Sequence, residues 1–157
     1  MFNPDPIHAT MASADGPVGQ PEDDIPDSER MHAIELQCVR EYLGLTLEAL
    51  AAYLNVSDRT VRHWEAGKYQ IPDGVRLAVE ALETATIDVI QQLVNELTKL
   101  PILERIVDVP RTDEQYRNLS RDTPLLTARW YRHVVMRAAA EVPGVQFRES
   151  RHPSTSS

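Results

Sequence analysis

Cysteine is all but missing from this chain. Cys38 stands alone among 157 residues, which excludes a disulfide framework and a cysteine-built metal site. Set between Gln37 and Val39, it reads as a small buried side chain. No apolar run approaches the ~20 residues that a membrane helix needs. The N-terminus has neither the basic nor the apolar region of a signal peptide. No glycine-rich loop of the kind that cradles phosphates is present. His32 and Glu35 share a helical face, yet no third ligand or nucleophile accompanies them, so catalysis has little support. These absences lead to the expectation of a cytoplasmic protein that is not an enzyme, with no cofactor, no metal and no membrane partner.

What is present fits one domain or two small ones, with 42% hydrophobic residues to build a core. The net charge of −8 argues at first against nucleic acid. That charge is uneven. Residues 1–30 hold seven acids and one base, a net −6, which leaves −2 on the rest. The folded part is therefore nearly neutral, and local charge is the better guide.

Residues 1–30 are rich in Pro, Gly, Asp and Ser and cannot bury enough surface to offset ordering, so they read as a disordered acidic tail. Residues 146–157 read as a second disordered tail. Between them the pattern is helical. Ile34, Leu36, Val39, Tyr42 and Leu43 predict a first helix ending near Gly44. Thr46 can cap a second, LEALAAYL, with Leu47, Leu50, Ala51 and Leu54 inward. Asn55 suits a left-handed turn. Ser57 or Asp58 caps a third helix, which Gly67 ends. Pro72 and Asp73 open a long helical region to Leu100, and the pattern leaves open whether it breaks at Thr84–Thr86. Pro101 ends it. LERIVDV reads as one short strand closed by Pro110, followed by a loop with Arg111, Asp113, Arg117 and Arg121. LLTARWYRHVVMRAAAEV reads as a last amphipathic helix. The fold class expected is mainly α: a helix-turn-helix bundle over 31–100 with its long following helix, then a helical dimerisation part over 101–145 carrying one short strand.

The stretch NVSDRTVRHWEAGK is the most informative. Ala51 is small where two short helices approach, Asn55 sits at the turn, and Val61 and Trp64 face back to the core. Asp58, Arg59, Arg62 and His63 are left outward. A helix-turn-helix offers the N-terminal side chains of its second helix to the major groove in this way.

TLEALAAYLNVSDRTVRHWEAGK resembles the helix-turn-helix of the XRE/Cro/phage-repressor family over about residues 33–84. The resemblance implies an ion pair between Arg40 and Glu65. It places base reading on Asp58, Arg59 and His63, and helix capping with phosphate contact on Thr46 and Ser57. Leu47 departs from the polar residue common at its position, and Asp58 from a common Gln. MHAIELQCVREYLGLTLE, WEAGKYQIPDGV and LLTARWYRHVVMRAAAEV, in that order, resemble a narrower group, the small phage and bacterial regulators similar to anti-CRISPR-associated transcriptional repressors. That likeness extends to about residue 142 and is loose over 101–125. Members begin near the equivalent of Met31, so residues 1–30 are an extension or a misassigned start.

Among these residues Arg59 is the strongest base reader, because a guanidinium can bind guanine O6 and N7 together. His63 can donate to a base or a phosphate, or sit exposed. Asp58 can accept from cytosine N4, but a carboxylate facing phosphates is costly and capping is the better expectation. Arg62 and Lys68 suit phosphates. Arg129, Arg132, His133 and Arg137 form a solvated face, with a supplementary nucleic-acid surface, RNA included, as the alternative.

Taken together, the expectation is a sequence-specific repressor of its own operon that binds double-stranded operator DNA as a homodimer. The alternative is an antitoxin-type module that binds a partner protein as well as DNA. A single helix-turn-helix reads few base pairs, and such domains work as dimers on half-sites about 34–36 Å apart. The apolar stripe of the last helix must pack on the long helix at 73–100, on a second copy, or on both. Leu126, Trp130, Tyr131 and Val134 are the expected dimer contacts, since aromatics are enriched at interface centres.

Overall fold

The computed structural model describes residues 26, 29–119 and 126–151. Most of the acidic tail, Arg121 and the end of the C-terminal tail lie outside the described residues. Two compact units meet in sequence between Thr84 and Ala85.

The first unit begins with α1 (Ala33–Tyr42), where the Glu35 carboxylate accepts the His32 N–H. At 100° per residue, Leu36 and Leu43 fall on one side of the helix and are buried. Ile34 and Tyr42 fall away from that side and are exposed, so they support the helical period without joining the core. Cys38, two residues past Leu36, is also exposed, against the expectation of a buried thiol. Next come α2 (Leu47–Leu54) and α3 (Asp58–Glu65). The helix α4 (Asp73–Lys99) then runs unbroken through Thr84–Thr86. The threonines are tolerated there because Thr84 Oγ1 donates to the Glu80 carbonyl and Thr86 Oγ1 accepts from a tryptophan. Val75, Ala78, Val79 and Leu82 form the inner face of α4 in this unit.

Glu83 lies on the same stretch of α4. Burial, then the nearby Glu80 and Glu35 carboxylates, hold its carboxyl above the usual range. The folded state therefore binds that proton more readily than the unfolded chain. The stability this gives is fully present below the ordinary glutamate pKa of ~4.3 and is lost as pH rises through the higher folded value. Glu83→Gln is expected to raise the melting temperature at pH 7, through less than ~1 kcal/mol of added stability. At about pH 3 the variant and the parent should melt alike. An equal benefit at both pH values would show that charge is not the cause.

The second unit takes the rest of α4, a 3-10 turn (Ile102–Glu104), β1 (Ile106–Val109), α5 (Asp113–Leu119), α6 (Ala128–Glu141) and β2 (Gln146–Glu149). β1 and β2 pair in parallel, Ile106 opposite Gln146 through Val109 opposite Glu149. Two elements differ from expectation. The loop after Pro110 contains α5, capped reciprocally: Thr112 Oγ1 accepts the Gln115 N–H at 3.2 Å, and Gln115 Oε1 accepts the Thr112 N–H at 3.3 Å and also the Arg111 N–H at 2.6 Å. The expected C-terminal tail begins with a strand. Gly144, at φ +77°, turns the chain back towards β1, and a Cβ there would stand 2.6 Å from Ile102 Cγ2. The order at 146–149 comes from pairing with β1, which composition does not reveal.

α6 is capped by Thr127, whose hydroxyl accepts the Trp130 N–H. Leu126, Trp130, Val134 and Ala138 are buried, and Tyr131 is half-buried. The Trp130 ring lies among Tyr116 and Tyr131, and its Nε1–H donates to Thr86 Oγ1 at 3.1 Å. Leu97, Val107, Val135 and Val142 form the adjoining core. Of the covers open to this stripe, the long helix and a second copy, the protomer's own core takes Leu126, Trp130 and Val134. α6 finds its cover on α4, α5 and β1, so Leu126, Trp130 and Val134 have almost no surface left for a partner.

Candidate nucleic-acid interface

The turn between α2 and α3 is built from backbone bonds that only a left-handed residue permits. Asn55 has φ 56° and ψ 44°, which lets the Asn55 N–H reach the Ala52 carbonyl and the Val56 N–H reach that of Ala51. Thr46 caps α2 by accepting the Ala49 N–H at 3.1 Å. Ser57, not Asp58, caps α3: its Oγ accepts the Thr60 N–H at 3.1 Å. Leu50, Ala51, Leu54, Val61 and Trp64 are buried between the helices. Gly67 ends α3 at φ +71°. The nearest atom to a Cβ there would be 4.0 Å away, so conformation rather than space calls for glycine.

At the far end of α3, Glu65 receives a bidentate pair from Arg40 of α1, Nε to Oε1 at 2.7 Å and Nη2 to Oε2 at 3.0 Å. Arg40 Nη1 also donates to the Leu45 carbonyl. Only 12% and 10% of the two side chains are exposed. The hydrogen bond to Glu65 is the chief reason the Arg40 guanidinium holds its proton more firmly than usual. The pair locks α3 against α1 and fixes the direction in which the outer face of α3 points.

That outer face carries Asp58, Arg59 and Arg62, all exposed, with His63 half-buried at its edge. Asp58 Oδ2 lies 3.3 Å from Arg62 Nη2, and Glu48 Oε1 lies 3.4 Å from it. These are weak surface contacts that a phosphate can displace. Sequence reading had no signal for Glu48, which reaches this cluster from α2. The Arg59 side chain has no hydrogen bond or ion pair to another described residue. His63 stacks edge-on against Tyr69 at 5.2 Å, and Lys68 lies 5.7 Å from the same ring. Desolvation first, then the Lys68 and Arg59 cations, lower the His63 pKa. Its imidazole is neutral at pH 7 and offers one donor and one acceptor.

A model of the Aca2/YdiL-like proteins matches residues 31–140, well over half of the chain. The chain belongs to the Aca2/YdiL-like family. This is a family of anti-CRISPR-associated helix-turn-helix regulators, and membership points to a regulatory, DNA-binding protein. The Aca2/YdiL-like match runs from before α1 to within one residue of the end of α6 and stops short of β2. No curated protein matches the chain. Among the described residues, no three His, Cys, Asp or Glu side chains gather as metal ligands would. No described helix is long and apolar enough to cross a membrane.

Proposed function

We propose that the protein represses transcription of its own operon, binding an inverted-repeat operator as a homodimer through an XRE/Cro-like helix-turn-helix. The observation that carries this reading is Arg59, a cation at the exposed start of α3 with no partner among the described residues. A guanidinium left free on a recognition helix is ready for a guanine edge. His63, neutral and one turn on, reads a neighbouring base. Asp58 contributes to base contact by accepting from cytosine N4. Arg62 and Lys68 contact phosphates, and Thr46 and Ser57 add their hydroxyls at the helix starts.

Residues 101–145 hold the two copies at the spacing of the half-sites. With Trp130 and Val134 buried in the protomer, the copies meet through other side chains. Ile102 and Leu103, 58% and 82% exposed, are part of the apolar surface available, with Ile106, Leu119 and Met136 also exposed in this segment.

Arg59→Ala is expected to lose sequence discrimination by about 1–3 kcal/mol, roughly five- to 150-fold. Lys68→Ala should weaken operator and random DNA alike. Competition binding at fixed salt, on an operator selected from a random pool with the full chain, separates the two. Equal losses on operator and random DNA for Arg59→Ala would sink the assignment.

A further inference from the structure

A cavity of about 440 Å³ opens on the second unit, among the end of β1, α6 and β2. That volume falls in the range of small-molecule sites. Its apolar walls are Val109, Pro110, Val135, Met136 and Phe147. Met136 and Phe147, two large apolar side chains on the wall of this one cavity, are 58% and 50% exposed.

Three guanidiniums border the same cavity, Arg111, Arg132 and Arg148. Two of them are matched. Arg111 pairs with Glu149 through two bonds of 3.0 and 2.8 Å, and Arg148 pairs with Asp108 through bonds of 2.6 and 3.0 Å. Arg132 has no acid within salt-bridge distance among the described residues. Its Nη1 donates to the carbonyls of Pro110 and Arg111, at 3.0 and 3.1 Å. Those bonds hold the guanidinium at the cavity wall and leave Nε and Nη2 to donate elsewhere. The site therefore offers an apolar trough with one uncompensated positive charge. A single negative charge balances it. A phosphate dianion would exceed that balance and face the Glu149 carboxylate at the rim.

We propose that this cavity binds a small amphipathic monocarboxylate, its apolar body along Met136, Phe147 and Val135 and its carboxylate on Arg132. Every residue involved lies between 109 and 149, so the proposal stands apart from the reading of α3. Carboxylate and guanidinium form the paired, charge-assisted bonds that neutral groups cannot match.

Titration calorimetry on the full chain tests this, with decanoate below its micelle-forming concentration as the probe and decanol as the uncharged control. Decanoate should bind one per chain and decanol about tenfold or more weakly, for want of the charged contact. Arg132→Gln should weaken decanoate binding by about tenfold or more and leave decanol unchanged. Arg132→Gln also gives up two bonds to backbone carbonyls, so Phe147→Glu supplies an independent reading. It puts a carboxylate at an exposed position on the wall and should abolish decanoate binding with the fold intact. Equal binding of decanoate and decanol, or full binding by Phe147→Glu, would overturn the proposal. So would no binding by the parent chain. If, in that case, Phe147→Glu also turned a dimer into a monomer by light scattering, the occupant of the trough would be a second copy.

Discussion

Arg40→Ala is expected to destabilise the unit that ends at Thr84 by about 3 kcal/mol, and Glu65→Ala by a similar amount. The two side chains are nearly, though not wholly, withdrawn from water, at 12% and 10% exposed. Removing either partner leaves a charge that has lost both solvent and its counter-ion. Arg40→Ala also strands the Leu45 carbonyl, which accepts from Nη1. The double variant should cost clearly less than the two single losses together, because no charge is then left alone. Urea melts of the three variants give the answer. Unchanged midpoints for both single variants would mean that the pair contributes nothing in solution. The functional consequence follows from geometry: with α3 loosened from α1, affinity for operator and random DNA should fall together, unlike the selective loss expected for Arg59→Ala.

Trp130→Ala should have the largest effect in the second unit, about 3–5 kcal/mol, as for other fully buried aromatics. The side chain is 1% exposed, packs against Tyr116 and Tyr131, and donates its indole N–H to Thr86. Alanine leaves a cavity at the junction of α4, α5 and α6. Trp130→Phe keeps much of the ring packing and should cost less. Thr86→Val removes the indole's acceptor and should cost about 1–3 kcal/mol, the desolvation penalty of a buried donor left unpaired. Amide hydrogen exchange can locate the damage. Faster exchange across 85–151, with 29–84 little changed, is the expected pattern. If Trp130→Ala instead left the exchange of both units intact and weakened only self-association, the indole would belong to an interface and not to this core.

Trp130 also shows where reading from sequence reaches its limit. The spacing of Leu126, Trp130, Val134 and Ala138 announces a buried stripe on a helix. It does not name what covers the stripe, and a second copy and a neighbouring helix satisfy periodicity equally well. Thr86, forty-four residues earlier, supplies the polar partner that lets the indole stay inside the protomer. The α5 helix is a different case. Its signal was present, in a threonine followed three residues later by a glutamine, Thr112 and Gln115. With only seven residues in α5, hydrophobic periodicity had too little length to register.

By itself the sequence determined the helix-turn-helix, because that motif is local. Thr46 and Ser57 cap at fixed offsets, Asn55 and Gly67 stand where the backbone must turn left-handed, and Val61 and Trp64 repeat at helical spacing. Tertiary structure alone decided the rest. It paired 106–109 with 146–149 across forty residues, left Arg132 without an acid among the described residues while its two neighbours found theirs, and folded Trp130 inward. Strand pairing, ion pairing and the choice of packing partner depend on which distant groups the chain brings together. Residues near one another in sequence carry no record of that choice.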